Sequence, residues 1–237
     1  MNGGQILFSI VTAIILTAYA TAGGAQSGQL PLNLIPMYGY PDIEKPEALK
    51  KLDEDFIRSV VGTEGSREEV SKSFSGEAWR LLRNGDAANA MRRFNQSWLL
   101  NPNNYQPYWG FGALLFAQRK PSQAAMHYEK ALSLINEEGE KPRLLNDAAR
   151  AYSMQGFTAT DKMKSEGFFA KANSLFNEAI TLDPKYENAY RDWAMSLYLE
   201  GNYKTAWDVV KKSRGLGGEP LPSDFIDALS KKMLEPQ

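Results

Sequence analysis

The chain contains no cysteine and only one histidine among its 237 residues. Without cysteine there is no disulfide, no thiolate metal site and no cysteine nucleophile. A transition-metal site would need several histidine or clustered carboxylate ligands. The acidic cluster at residues 53–55 lies on a predicted helix, where its side chains point in different directions. We therefore expect neither a bound metal nor another cofactor.

A dominant charge of one sign is also missing, since 27 basic residues nearly balance 28 acidic ones. Nucleic acid binds broad basic surfaces, so it is not an expected partner. His127 has no nucleophile or carboxylate motif beside it, although a catalytic histidine needs such a partner. No glycine-rich phosphate loop is present either. We predict that the protein is not an enzyme, and we keep a small-ligand binder or enzyme as a minor alternative.

The first 22 residues have the features of a secretory signal peptide. An uncharged apolar run spans residues 6–20, and small residues after it allow cleavage after Ala20 or Ala22. The run is shorter than the roughly 20 residues that span a bilayer. We therefore predict an exported protein of a bacterial periplasm, with no stable membrane insertion after cleavage. Because no Lys or Arg precedes the run, an uncleaved N-terminal membrane anchor is the alternative.

Two further segments precede the main body of the chain. Residues 23–45 are predicted to be a flexible leader, rich first in Gly, Ser and Gln and then in proline, which excludes a regular helix. The apolar part of this leader is expected to lie extended on a hydrophobic surface. Residues 46–70 are predicted to be an N-terminal helical segment, because apolar residues recur at three- and four-residue steps from Leu49 to Val60.

The chain repeats itself from residue 71 onward. An alanine recurs at steps of 34, 48 and 34 residues, at Ala90, Ala124, Ala172 and Ala206. A large apolar residue follows four positions later each time, at Phe94, Tyr128, Phe176 and Val210. Each unit is therefore predicted to be a hairpin of two helices that approach closely at a small residue. One hairpin cannot bury its apolar face alone, so several must stack.

These positions resemble the tetratricopeptide-repeat (TPR) pattern, which has a period of 34 residues. The resemblance covers residues 71–104, 105–138, 142–186 and 187–220. It implies an all-α solenoid of four helical hairpins with an N-terminal extension and a C-terminal capping helix at residues 221–237. Turns between paired helices are expected at Gly85, Arg119, Gly156 and Gly201. An insertion at residues 157–169 either lengthens both helices of the third hairpin or forms a projecting loop.

In the TPR pattern, the first helix of each hairpin lines a concave groove. The resemblance implies a partner-binding site on these helices, at Trp79, Leu82, Arg83, Gln106, Trp109, Phe116, Arg143, Asn146, Arg150, Asn188, Arg191 and Tyr198. Exposed aromatic and arginine side chains carry much of the energy of protein interfaces. The Arg and Asn residues of units three and four are suited to bind a carboxylate or a peptide backbone. Residues 30–60 compete for this groove, because the chain could fill it with its own N-terminal segment.

The favoured function is an exported TPR adaptor or scaffold that binds a protein or peptide in its concave groove. The alternative is a structural subunit of an envelope assembly that docks through its convex face or through residues 157–169. Both hypotheses rest on the repeats together with the missing catalytic motifs.

Overall fold

The computed structural model describes residues 31–62, 65–217 and 221–236. The predicted signal peptide, residues 1–22, and the first part of the predicted leader lie outside these ranges. Two 3₁₀ turns come first, Leu32–Leu34 and Pro36–Gly39. They are followed by α1 (Glu47–Val60), α2 (Arg67–Arg83), α3 (Ala87–Leu100), α4 (Tyr105–Ala117), α5 (Pro121–Leu134), α6 (Lys141–Thr158), α7 (Lys162–Leu182), α8 (Glu187–Glu200), α9 (Tyr203–Gly215) and α10 (Ser223–Lys232). None of the helices so described is long and apolar enough to cross a membrane.

Helices α2 to α9 pair as four successive hairpins, α2 with α3, α4 with α5, α6 with α7, and α8 with α9. The second helix of each hairpin also packs on the first helix of the next one. The hairpins therefore stack in chain order. One apolar core runs through hairpins one to three, and hairpin four shares a second core with the last helix. This confirms the predicted all-α solenoid of four hairpins.

The repeat positions are buried as the sequence pattern requires. The alanine at the twentieth position is fully buried in every hairpin, at Ala90, Ala124, Ala172 and Ala206. The tyrosine at the fourth position makes the same hydrogen bond in hairpins two and four. The hydroxyl of Tyr108 donates to the Pro102 carbonyl oxygen at 3.0 Å, and that of Tyr190 donates to the Pro184 carbonyl oxygen at 3.1 Å. Equivalent repeat positions therefore make equivalent contacts in hairpins two and four.

The N-terminal segment packs on the second helix of the first hairpin. Asn95 on α3 is fully buried, and its side-chain amide donates to the carbonyl oxygens of Asn33 and Ile35 at 3.1 and 2.9 Å. The ring of Tyr40 lies 6.0 Å from that of Trp98 on the same helix. This part of the predicted leader is therefore attached to the solenoid, and it adopts 3₁₀ turns rather than an extended chain.

Helices α1 and α10 cover the two ends of the stack. At the first end, the rings of Phe56 on α1 and Phe74 on α2 lie 6.0 Å apart, and Val60 is buried beside them. At the other end, Phe225 and Leu229 of α10 are buried against hairpin four. The terminal hairpins would otherwise expose an apolar face, so both end helices serve as caps.

The third hairpin is longer than the others, because α6 has 18 residues and α7 has 21. The insertion thus lengthens both helices, and it does not form a projecting loop. The turn predicted at Gly156 is wrong, since the chain turns at residues 159–161. Gly156 lies inside α6, where an added Cβ would come within 2.8 Å of Phe169. Glycine is used here for close helix packing, whereas Gly85, Arg119 and Gly201 have the positive φ of true turns.

The first helices of the hairpins form one continuous surface. Helix α2 contacts α4, α4 contacts α6, and α6 contacts α8. We call this surface the inner face, and we call the side formed by α3, α5, α7 and α9 the outer side. The inner face carries the residues that the sequence predicts for a groove.

Candidate functional site

The predicted groove residues all lie on the four helices of the inner face, but they differ in how far solvent reaches them. Two are buried, Trp109 at 8% exposure and Asn146 at 2%. Three are exposed, Arg83, Arg143 and Asn188. The remaining seven are half-buried, Trp79, Leu82, Gln106, Phe116, Arg150, Arg191 and Tyr198. The inner face therefore has a packed floor and an accessible rim.

Hairpins one and two give the floor an aromatic character. The ring of Trp79 meets that of Trp109 edge-on at 5.4 Å, and it meets Phe94 edge-on at 5.2 Å. The Tyr105 ring stacks on Trp109 at 6.4 Å. Edge-to-face and offset geometries are the favourable ones for aromatic rings. These rings bury one another, so most of their apolar surface is used inside the protein.

Hairpins three and four give the floor a polar character. The Trp109 indole Nε1 donates to Asp147 Oδ2 at 2.8 Å. The Arg150 guanidinium lies 3.4 Å from Asp147 Oδ1 and 3.6 Å from Asp192 Oδ2. The Asn146 side-chain amide donates to Asp192 Oδ2 at 2.9 Å. One network of hydrogen bonds and ion pairs thus connects hairpins two, three and four.

The electrostatics of this network follow from partial burial. Burial raises the pKa of Asp147 above the ordinary aspartate value, and Arg150 and the Trp109 indole offset only part of that effect. Burial disfavours the Arg150 cation, but the carboxylates of Asp192 and Asp147 outweigh it, so the pKa of Arg150 is raised. Arg150 is therefore a charge held between two carboxylates.

Two members of the network, Asp147 and Asp192, are not among the predicted site residues. Both stand at the sixth position of their units, directly after a predicted groove residue. In the TPR pattern, the groove is lined by positions two, five, nine, twelve and thirteen of each unit. The sixth position is not among them, so the pattern does not predict these two aspartates. The spacing of Asp147 and Arg150 is nevertheless visible in the sequence, since residues three apart on a helix lie on one face.

The structure brings some predicted residues together and separates others. Trp79, Trp109 and Phe116 lie along the middle of the inner face, where Arg150 stacks over the Phe116 ring at 5.1 Å. Tyr198 lies at the C-terminal end, and its ring is 5.9 Å from Phe225 of the capping helix. The predicted residues are therefore a surface along the solenoid rather than one pocket.

The N-terminal segment and α1 do not take up the position that self-filling would require. The segment packs on α3, on the outer side, and α1 packs at the end of the stack. The contacts of Trp79 and Trp109 are with other rings of the solenoid. Residues 31–62 therefore lie on the outer side and at the end of the stack, and their contacts with the solenoid are not with the inner-face rings of Trp79 and Trp109.

No group of three or more metal-ligating side chains occurs in the described ranges. His127 lies between aromatic rings, 5.5 Å from Phe111 and 6.4 Å from Tyr108. Burial lowers the pKa of His127 to about 4. The imidazole is therefore neutral near pH 7 and packs half-buried against these rings.

Comparison with known proteins identifies the fold. No protein-family model matches the chain, and no curated protein sequence matches it. Among solved structures, it is similar to a thermophilic TPR protein of Thermus thermophilus, with a TM-score of 0.57 and 16% identity over 69% of this chain and 81% of that one. The chain therefore has the TPR fold.

A second solved structure, that of Pseudomonas aeruginosa PilF, is 17% identical over 70% of this chain and 85% of that one. Its TM-score of 0.36 is too low to support an argument. The first similarity concerns the fold alone, because the sequences have diverged so far.

Proposed function

We propose that this protein is an interaction scaffold that binds a protein or peptide partner along the inner face of its solenoid. The observation that carries the proposal is the continuous surface of α2, α4, α6 and α8. It presents exposed Arg83, Arg143 and Asn188 above a rigid aromatic and polar floor. A preformed surface loses little conformational entropy on binding.

The floor contributes rigidity and one unused hydrogen-bond acceptor. The Asn146 amide is oriented by its donation to Asp192, and its Oδ1 atom is buried without a hydrogen-bond partner in the described part of the chain. An unsatisfied buried acceptor is costly, so a donor from a partner would be favourable there.

The choice of test variants follows from burial. Trp109 is only 8% exposed, and Arg150 is held by two carboxylates. Truncating either would perturb the fold, and lost binding could not then be assigned to lost contact. Arg143 and Arg191 are better targets, since their side chains are 60% and 40% exposed. Exposed ion pairs contribute at most about 1 kcal/mol to stability.

The test is affinity capture of partners from the native cell envelope, followed by binding measurements on variants. We expect the double variant Arg143→Ala/Arg191→Ala to weaken partner binding at least about tenfold, because interface arginines cost more than 1 kcal/mol when truncated. The matched control is Lys204→Ala/Lys212→Ala, which removes two exposed charges from α9 on the outer side. This control should bind like the wild type.

The same experiment distinguishes binding on the inner face from docking through the outer side. A structural subunit that docks through its outer side would lose its partner in the lysine double variant and keep it in the arginine double variant. That reversed result would overturn the inner-face proposal.

We also propose that the protein is exported to a bacterial periplasm, on the basis of the apolar N-terminal run and its small-residue cleavage sites. Mass spectrometry of the mature N-terminus tests this proposal. A chain that begins after residue 20 or 22 is expected, and an intact N-terminus in the membrane fraction would contradict it.

A further inference from the structure

The lengthened third hairpin creates a cleft that shorter hairpins could not form. The cleft has a volume of about 300 Å³ and eight lining residues. Six of them belong to residues 158–168, which are the end of α6, the turn and the start of α7. Ser122 of α5 and Gln155 of α6 complete the lining. The insertion therefore builds this site, at the tip of the hairpin rather than on the inner face.

One group inside the cleft lacks a partner. Gln155 is 9% exposed, and its side-chain Nε2 is buried with no hydrogen-bond acceptor in the described residues. An unsatisfied buried donor is costly, so an acceptor supplied by a ligand would be favourable. Gln155 itself lines a cleft that is large enough for a small ligand group.

Two other lining residues, Ser122 and Lys164, can also donate hydrogen bonds. Ser122 lies in the first turn of α5, a helix of 14 residues, where backbone N–H groups and the helix dipole favour a negative charge. Lys164 adds an ammonium group to the lining. The Asp161 carboxylate accepts the backbone N–H of Lys164 at 2.8 Å, so it is engaged in capping α7.

The charged residues around the cleft also favour a negatively charged ligand. Lys162 and Glu166 pair with each other at 3.7 Å, away from the lining. The other charged residues of the flanking segments 119–122 and 160–166 are the basic Arg119, Lys120 and Lys164 against the acidic Asp161. A group that enters the cleft therefore meets hydrogen-bond donors in a weakly positive environment.

We propose that this tip cleft is a second binding site and that it takes a carboxylate of a partner polypeptide, either a chain terminus or an acidic side chain. Gln155 Nε2, the Ser122 end of α5 and the Lys164 ammonium would donate to the carboxylate oxygens. Charge-assisted hydrogen bonds of this kind are the strong ones. The proposal is independent of partner binding on the inner face.

The test is a titration of the full ¹⁵N-labelled chain, observed at the side-chain amide signals of Gln155, which Gln155→Leu identifies by their loss. Sodium acetate and N-acetylglycine are the carboxylate probes, and sodium chloride and N-acetylglycinamide are the matched probes without a carboxylate. We expect saturable shifts from the two carboxylates alone. Lys164→Met should weaken the affinity for both carboxylate probes about tenfold, because one hydrogen bond to a charged group is lost.

Lys162→Met is the control variant, because Lys162 is 89% exposed and does not line the cleft. It should titrate like the wild type. Equal shifts with N-acetylglycinamide or chloride, equal weakening by both lysine variants, or no saturable shift with any probe would each overturn the carboxylate site.

Two tripeptides then separate the sources of the carboxylate. One is Ac-Ala-Ala-Ala with a free C-terminus, and the other is Ac-Ala-Glu-Ala with an amidated C-terminus. Tighter binding of either peptide than of acetate supports a polypeptide partner and tells which carboxylate it offers. If neither binds more tightly than acetate, the assignment to a polypeptide is wrong.

Discussion

The two halves of the inner face differ in what holds them together. In hairpins one and two, the rings of Trp79, Trp109 and Phe94 contact one another. In hairpins three and four, charged and amide side chains form a network around Arg150. Trp109 belongs to both halves, because its ring packs on Trp79 and its indole donates to Asp147.

This difference shows how residues at equivalent repeat positions can have different roles. The aromatic half stabilises the stack through close packing, which has little tolerance for added volume. The polar half depends on paired charges, so it tolerates changes of shape better than the loss of a partner. Under the proposed function, recognition then relies on the exposed rim, since the floor residues bond to one another except at Asn146 Oδ1.

The largest expected effect comes from adding one methyl group to the aromatic half. At Gly110, a Cβ atom would lie 2.2 Å from Phe94 Cζ, so Gly110→Ala should lower the free energy of unfolding by about 3 kcal/mol or more. Gly76 occupies the same sixth position in hairpin one and has nothing within 4 Å. Gly76→Ala should instead raise stability by up to about 1 kcal/mol. Urea unfolding of both variants measures the contrast, and similar effects would contradict the packing account.

A medium effect is expected where the two halves meet. Trp109→Phe keeps an aromatic ring but removes the donor to Asp147, which should cost about 1–3 kcal/mol because the carboxylate is partly buried. Trp193→Phe is the matched control, since Trp193 Nε1 donates to the neutral Asn173 side chain at 2.9 Å. We expect a smaller loss there, of about 1 kcal/mol. A larger loss in the control would show that the charged partner does not matter.

The third prediction concerns pH and the aromatic packing within hairpin two. His127 has a pKa of about 4 in the fold, lowered by burial from 6.5. Between these values the unfolded chain binds the proton more readily, so stability falls as the pH drops from about 6.5 towards 4. In His127→Gln this contribution is absent, and the loss of stability between pH 7 and pH 5 should be smaller. Equal losses in the two proteins would mean that the pKa of His127 is not lowered in the fold.

The smallest expected effect lies at the turn of hairpin two. Arg119 has a φ of 61°, whereas the equivalent turns of hairpins one and four use Gly85 and Gly201 with φ of 82° and 87°. A side chain in this left-handed region is strained. Arg119→Gly should therefore raise the free energy of unfolding by up to about 1 kcal/mol, which a rise in melting temperature would show. The reciprocal variant Gly201→Arg should lower it. A destabilising Arg119→Gly would show that contacts of the arginine outweigh the backbone strain.

Much of the fold could be predicted from the sequence because the repeat spacing is local and regular. Positions such as Ala90 and Ala124 mark close helix contacts, and their periodicity identifies the hairpins. Gly156 shows the limit of this reasoning, because a glycine serves a turn and a close helix contact equally well. Only its packing against Phe169 decides between the two.

The candidate site was less predictable than the fold. The pattern identified Asn146 and Arg150 as inner-face residues, but it could not show that they are bonded to Asp147 and Asp192. Pairing across hairpins depends on rotamers and on the angle between helices, which sequence spacing does not specify. The tip cleft depends in the same way on the position of Ser122 relative to the lengthened hairpin.

Site-specific photo-crosslinking tests the inner-face account most directly. A benzoylphenylalanine at position 143, which is exposed on the inner face, is compared with one at position 126, where Met126 is 69% exposed on the outer side. We predict that the partner crosslinks at position 143 and not at position 126. Crosslinking at position 126 alone would contradict binding on the inner face.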